Sequence, residues 1–175
     1  ARDRARVEIT AEILAVARRH VAESGAASLS LRAVAREVGM VSSAVYRYFP
    51  SRDDLLTRLI IDAYHAVGDA AEAADAERAR SDIAGRLIAT STAVRSWALA
   101  NPHEYALVYG TPVPGYAAPT DTIDPALRVS IVMLNVLADG VASGMISTDD
   151  RIETTRVVRA DLSVIRSFAT GVPDS

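Results

Sequence analysis

The sequence predicts an all-α protein: a three-helix helix-turn-helix head followed by a helical body. Three observations predict it. Apolar residues recur every three to four positions along most of the chain, the spacing of helices that bury one face. Half of the 175 residues are hydrophobic but only 5% are aromatic, which suits helices packed through small side chains better than an aromatic-rich β-sandwich. Two short helical stretches, 30–38 and 42–49, are joined by a tight turn at Gly39–Val41. At 18.6 kDa the chain is one domain, or a small head on a larger body, and long enough to bury a core.

Each element has a local cause. Ile9, Ile13, Ala17 and Val21, widened by Leu14, give a first helix over 4–24 that Gly25 ends. Ser30 is placed to cap the second helix, with Leu29 and Val34 at hydrophobic-staple spacing, and Gly39 follows where a helix ends left-handed. The third helix, 42–49, must stop before Pro50. Ser51 opens a fourth, with Asp53 and Asp54 at the positive end of its dipole, running to about residue 74. The charged stretch 75–81 breaks the chain, and helices over 82–100 and 102–109 follow on either side of Asn101–Pro102. The segment 110–125, with four prolines and two glycines, reads as a long ordered loop. Helices over 126–146 and 150–170 close the count at eight.

Composition excludes several classes. With no cysteine there is no disulfide framework, thiolate zinc site, iron–sulfur cluster or cysteine nucleophile, and a reducing cytoplasmic setting fits. The N-terminal ARDRARVE has no apolar core of signal-peptide type. The most apolar stretch, 129–146, is interrupted by Asn135, Asp139 and Gly140, so it is expected to be a buried helix of a soluble protein. Every basic residue is Arg. Residues 1–52 hold nine Arg against five acids (+4), and residues 53–175 hold ten against seventeen (−7). A basic head on an acidic body suggests that the head meets a polyanion.

In a helix-turn-helix the second helix enters the major groove while the first braces it. Here Val34, Ala35, Val38 and Val45 are expected inside, setting the angle between the two helices. Ser42, Ser43 and Ala44 are small enough for close approach to base edges, and Tyr46, Arg47, Tyr48 and Arg52 are expected phosphate donors. Phe49 is expected to lock the head to the fourth helix. The stretch GMVSSAVYRYFPSRDDL, from Gly39 to Leu55, resembles the G-V-S-x-x-x-[LIV]-Y-x-[HY]-F-x-[SN]-K-x-x-L pattern of the TetR family of bacterial transcriptional regulators. Two positions depart from it. Val41 stands where a capping Ser or Thr is usual, which would pass the cap to Ser42, and Arg52 replaces a Lys. The loop YGTPVPGYAAP, 109–119, is similar to one found in a regulatory body of this family.

The resemblance implies a cytoplasmic homodimer on a palindromic operator in double-stranded DNA, most simply a repressor released by a small-molecule effector, with no cofactor and no membrane partner. It implies a DNA-binding domain over 1–52 and a ligand-binding and dimerisation domain over 53–175, whose last two helices would pair with the partner. It also places Arg32 where family members reach a base or phosphate. Trp97, Tyr105, Tyr109 and Tyr116 gather around the Asn101–Pro102 break and the proline-rich loop; with His103 and Asn135 they form the expected effector pocket for a mostly apolar molecule. The competing reading is a helical enzyme or metal bundle. Asp62, His65 and Asp69 share one helix face at metal-ligand spacing, although no second motif of that kind is present. His103–Glu104 after Pro102 is the other candidate pair, and His20 reads as a residue answering a helix dipole.

Overall fold

The computed structural model describes residues 2–147, which form seven α-helices and two single 3₁₀ turns with no strand among them. The helices are α1 (Arg2–Ser24), α2 (Leu31–Glu37), α3 (Ser42–Val45), α4 (Arg52–Ala76), α5 (Ile83–Ala100), α6 (Pro102–Tyr109) and α7 (Ile123–Ala142). The expected helix over 150–170 lies outside the described residues.

The described chain packs as two compact units, one built from 2–66 with 98–126 and the other from 67–97 with 127–147. The core of the first centres on Ile13, Val34, Val45, Leu55 and Leu56, all fully or almost fully buried, with Phe49 at 6% exposure. Tyr64, Leu107, Val108, Val113 and Tyr116 pack against its edge, so α6 and the proline-rich loop belong to the unit that holds the helix-turn-helix.

Local chemistry sets the helix ends. Gly25 (φ 77°, ψ 159°) and Gly39 (φ 76°) both take a positive φ that glycine alone adopts without strain, and they terminate α1 and α2. The Ser30 hydroxyl accepts from the Ala33 amide at 3.5 Å. Ser51 and Asp54 form a reciprocal cap at the start of α4: the Asp54 amide donates to Ser51 Oγ at 3.0 Å and the hydroxyl donates to Asp54 Oδ2 at 2.6 Å. Pro102 occupies the first turn of α6, where its missing N–H costs nothing.

Three expectations are corrected. Helix α3 keeps regular helical form only over Ser42–Val45. Its continuation tightens into turns, with Arg47 N–H bonded to Ala44 O at 3.2 Å and Tyr48 N–H to Val45 O at 2.9 Å, because Pro50 holds the preceding residue out of helical geometry. Helix α7 begins at Ile123 rather than 126, because Pro125 sits in its first turn, where no intrahelical N–H is needed. Nor is that helix mostly buried: over the apolar window Thr120–Ala142, which has the length and composition of a membrane span, only 22% is buried.

In the second unit Val67, Ala71, Ile83, Val132 and Val136 form the apolar contacts. Arg86, 5% exposed, holds its helices together: Nε and Nη2 donate to the two oxygens of Asp75 at 2.7 and 3.0 Å, and Nη1 donates to Asp139 Oδ2 at 2.7 Å. Its guanidinium and that of Arg80 hold the Asp139 carboxyl below the usual carboxylate range.

Candidate nucleic-acid interface

The head presents one polar, basic face because its apolar residues are spent on the other. Along α2, Leu31, Val34 and Ala35 turn inward, which leaves Arg32 and Arg36 exposed. Along α3 and the turn after it, Val45 and Phe49 turn inward, leaving Ser42, Ser43, Tyr46 and Arg47 exposed. A shallow groove of about 800 Å³ runs over Arg32, Arg36, Gly39, Val41 and Ser42. Exposed guanidiniums beside small hydroxyl side chains can pair with phosphates and still let a helix end approach base edges.

Glu37, an exposed acid at the end of α2, is paired from α1. Arg19 and His20 both hydrogen-bond its carboxylate, the latter at 2.6 Å, and the Arg19 bond is the main cause of its lowered pKa. An acid at a helix C-terminus faces the wrong end of the dipole, and these partners offset that. His20 thus has a longer-range role than the dipole assigned to it from sequence.

Several expected site residues sit elsewhere. Ala44 is buried at 9% exposure and packs inside the head beside Val45, because the inward side of this one-turn helix takes two of its four residues. The cap does not pass to Ser42: α3 starts at Ser42 with Val41 at the cap position, 72% exposed and with no side chain to accept an amide. Tyr48 is half-buried beneath Arg6, whose guanidinium lies 5.5 Å from the ring centroid. Arg52 does not face outward. Its Nε donates to Leu29 O at 3.1 Å, its Nη2 to Ala26 O at 2.9 Å and Ala27 O at 3.2 Å, and its Nη1 to Asp53 at 3.1 Å. The planar fork matches three converging carbonyls in the α1–α2 connection, so Arg52 clamps that connection to α4. Sequence reading missed Arg6 and Arg36. The helical period of α2 signals Arg36, four residues after Arg32, whereas nothing local signals Arg6.

The residues of the expected effector pocket are divided. The rings of Tyr105 and Tyr109 lie 5.1 Å apart, and Tyr109 meets Tyr64 of α4 edge-on at 5.9 Å. Tyr64 donates to Val108 O at 3.0 Å, and burial raises the hydroxyl pKa of both Tyr64 and Tyr109. The Tyr116 hydroxyl bonds Thr57 at 2.8 Å. His103 borders a groove of about 410 Å³ with Val21, Leu107 and Val113. Trp97 and Asn135 fall in the second compact unit. Tyr64 was not foreseen, since its helix face is visible in sequence but its neighbours on α6 are not.

The metal-face alternative meets carboxylates that are already paired. Asp62 accepts from Arg18 at 2.8 Å and from Arg58 at 2.7 Å, and Asp69 accepts from Arg128 at 2.6 Å. Among the described residues no group of three or more His, Asp or Glu side chains is placed to hold a metal ion. Glu104 pairs with Arg18 at 3.4 Å, so its carboxylate is bound to a guanidinium rather than poised beside His103.

A basic helix-turn-helix face on an all-α chain defines a helical DNA-binding regulator class, and comparison with known proteins gives the family. The model of the tetR family of bacterial regulatory proteins matches residues 13–59, and that of a tetracyclin repressor-like C-terminal domain matches 87–163. The chain is 49% identical over 148 residues to the HTH-type transcriptional regulators Rv1816 of Mycobacterium tuberculosis and Mb1846 of Mycobacterium bovis, an alignment covering 83% of this chain. It spans 63% of the length of those relatives. Among solved structures, SCO4313, a protein assigned a regulatory role, superposes with a TM-score of 0.75 at 39% identity, covering 97% of this chain and 74% of that one. The TetR family regulator PfmR of Thermus thermophilus shares the fold, with a TM-score of 0.65 at 22% identity over 89% of this chain and 81% of that one. The chain belongs to the tetR family of bacterial regulatory proteins.

Proposed function

We propose that this chain is a cytoplasmic, homodimeric transcriptional repressor that binds a palindromic operator and is released by a small, mostly apolar effector, with no catalytic activity of its own. The observation that carries the reading is the single face on which Arg32, Arg36, Ser42, Ser43, Tyr46 and Arg47 stand exposed together over a packed apolar core. Ser42 and Ser43 approach base edges, Arg32 pairs with a base, and Tyr46, Arg47 and the Tyr48 hydroxyl hold phosphates. The functional division falls at 52/53, with DNA reading before it and ligand binding and dimerisation after it.

Three further observations support the reading. The tyrosines of α4 and α6 offer an aromatic wall with hydroxyl groups, the make-up of a site for an apolar ligand. Arg18 ties α1 to Asp62 of α4 and Glu104 of α6, so a ligand that shifts α6 bears on the head through ion pairs. The exposed apolar side of α7, with Ile123 and Leu137 at 47% and 42% exposure, suits a helix-to-helix contact with a second copy.

Selection of bound duplexes from a genomic pool, followed by salt titration, tests the reading. A palindromic consensus bound with steep salt dependence is the expected result. Recovery of no enriched sequence would overturn it.

A further inference from the structure

Helix α3 is a weak element by construction. It has four residues, a valine at its cap position, and a proline five residues beyond its end. Four residues are too few for a helix to hold itself, so its position must come from packing and from bonds made by other segments. Val45 and Phe49 supply the packing from below. From the side, a long-range contact reaches the turn that follows: Arg6 of α1 donates from Nη2 to the Arg47 carbonyl at 3.3 Å, across 41 residues of sequence. The same guanidinium sits 5.5 Å from the centroid of the Tyr48 ring, within reach of a cation–π attraction. A cation at the carboxyl end of a short helix also answers its exposed carbonyls.

We propose that Arg6 is a positioning residue for DNA reading: it fixes the carboxyl end of α3, and with it the angle at which Ser42 and Ser43 meet the bases. The inference rests on the DNA-binding reading above and extends it to α1. The contact needs the planar fork, because one guanidinium must donate to a carbonyl while lying near a ring. A lysine ammonium keeps the charge but gathers it at one point on a shorter side chain, without the separate donor and flat face that serve the two contacts here.

The test measures wild type, Arg6→Ala and Arg6→Lys on the selected operator duplex and on a random-sequence duplex, with thermal melting of each protein. Arg6→Ala should lose about three- to tenfold in the ratio of operator to random-sequence affinity. Arg6→Lys should not restore that ratio, and all three proteins should melt together. A ratio unchanged in Arg6→Ala would show that Arg6 has no part in discrimination, and one restored by lysine would show that charge alone suffices; either overturns the inference. So does a loss that only follows a lower melting temperature. Wild-type protein that selects no operator overturns the DNA-binding reading itself, a result distinct from either of these.

Discussion

Arginine does two opposite jobs in the first compact unit, and exposure separates them. Arg32, Arg36 and Arg47 stand in solvent on the exposed face of the helix-turn-helix, whereas Arg52 spends its donors on the carbonyls of Ala26, Ala27 and Leu29. Hydrogen bonds from a charged donor are worth about 1.5–3 kcal/mol each, so replacing Arg52 leaves carbonyls that water only partly satisfies. Arg52→Ala is expected to lower head stability by about 2–3 kcal/mol in urea unfolding and to leave the salt slope of DNA binding unchanged. A lower slope with unaltered stability would return Arg52 to the phosphate backbone. Arg32→Ala should instead relax preference at one base pair per half-site, a discrimination of about 1–3 kcal/mol, when binding is measured across single-base operator variants. Uniform weakening across those variants would make Arg32 a phosphate contact.

Helix ends decide how firmly each element is held. The reciprocal Ser51–Asp54 cap gives α4 a firm start, while α3 begins at a bare valine. Because Val41 is 72% exposed, Val41→Ser gives up no core packing and supplies the missing acceptor. That variant should gain about 0.5–1 kcal/mol in head stability, read as a higher urea midpoint at constant slope. In the second unit the cross-helix bond is ionic and so depends on pH. Asp139 titrates below its unfolded value, chiefly through its bond to Arg86 and then to Arg80. A depressed carboxylate stabilises the fold above the unfolded pKa, about 3.9, and that contribution disappears as pH falls through the folded value. Asp139→Asn should therefore be less stable than wild type at pH 7, with the gap closing below about pH 4, in unfolding measured across pH. A gap that persists at acid pH would assign the loss to packing.

At the scale of the molecule, the proposed effector site must act on the proposed DNA-binding face. Arg18 joins α1 to both α4 and α6, and the tyrosine cluster lies on the same two helices, α4 and α6. Coupling between sites is typically about 1–3 kcal/mol, so an effector found by thermal-shift screening should change operator affinity about 5- to 150-fold, and operator should change effector affinity by the same factor. Arg18→Gln should shrink that factor while leaving effector affinity in the absence of DNA nearly intact. A ligand that stabilises the protein yet leaves operator affinity untouched would sink the switch, since equal affinity for both states shifts nothing.

The sequence by itself determined what depends on neighbours within one or two turns. Helix periods, the caps at Ser30 and Ser51, the helix-ending glycines at 25 and 39, the stop at Pro50 and the motif from Gly39 to Leu55 were all legible there. Tertiary structure alone decided which polar groups are consumed inside the fold. Arg52 reads as a surface cation until the carbonyls of 26, 27 and 29, 23 to 26 residues away, converge on it. Ala44 reads as base-facing until the single turn of α3 gives it, with Val45, to the core. Tyr64 has no visible link to Tyr109, nor Arg6 to Tyr48, until α4 meets α6 and α1 meets the turn after α3. Propensity and capping act over about four residues and can be read in order along a chain. The direction of a long arginine or tyrosine is set by whichever distant atoms the packed core brings within about 3 Å.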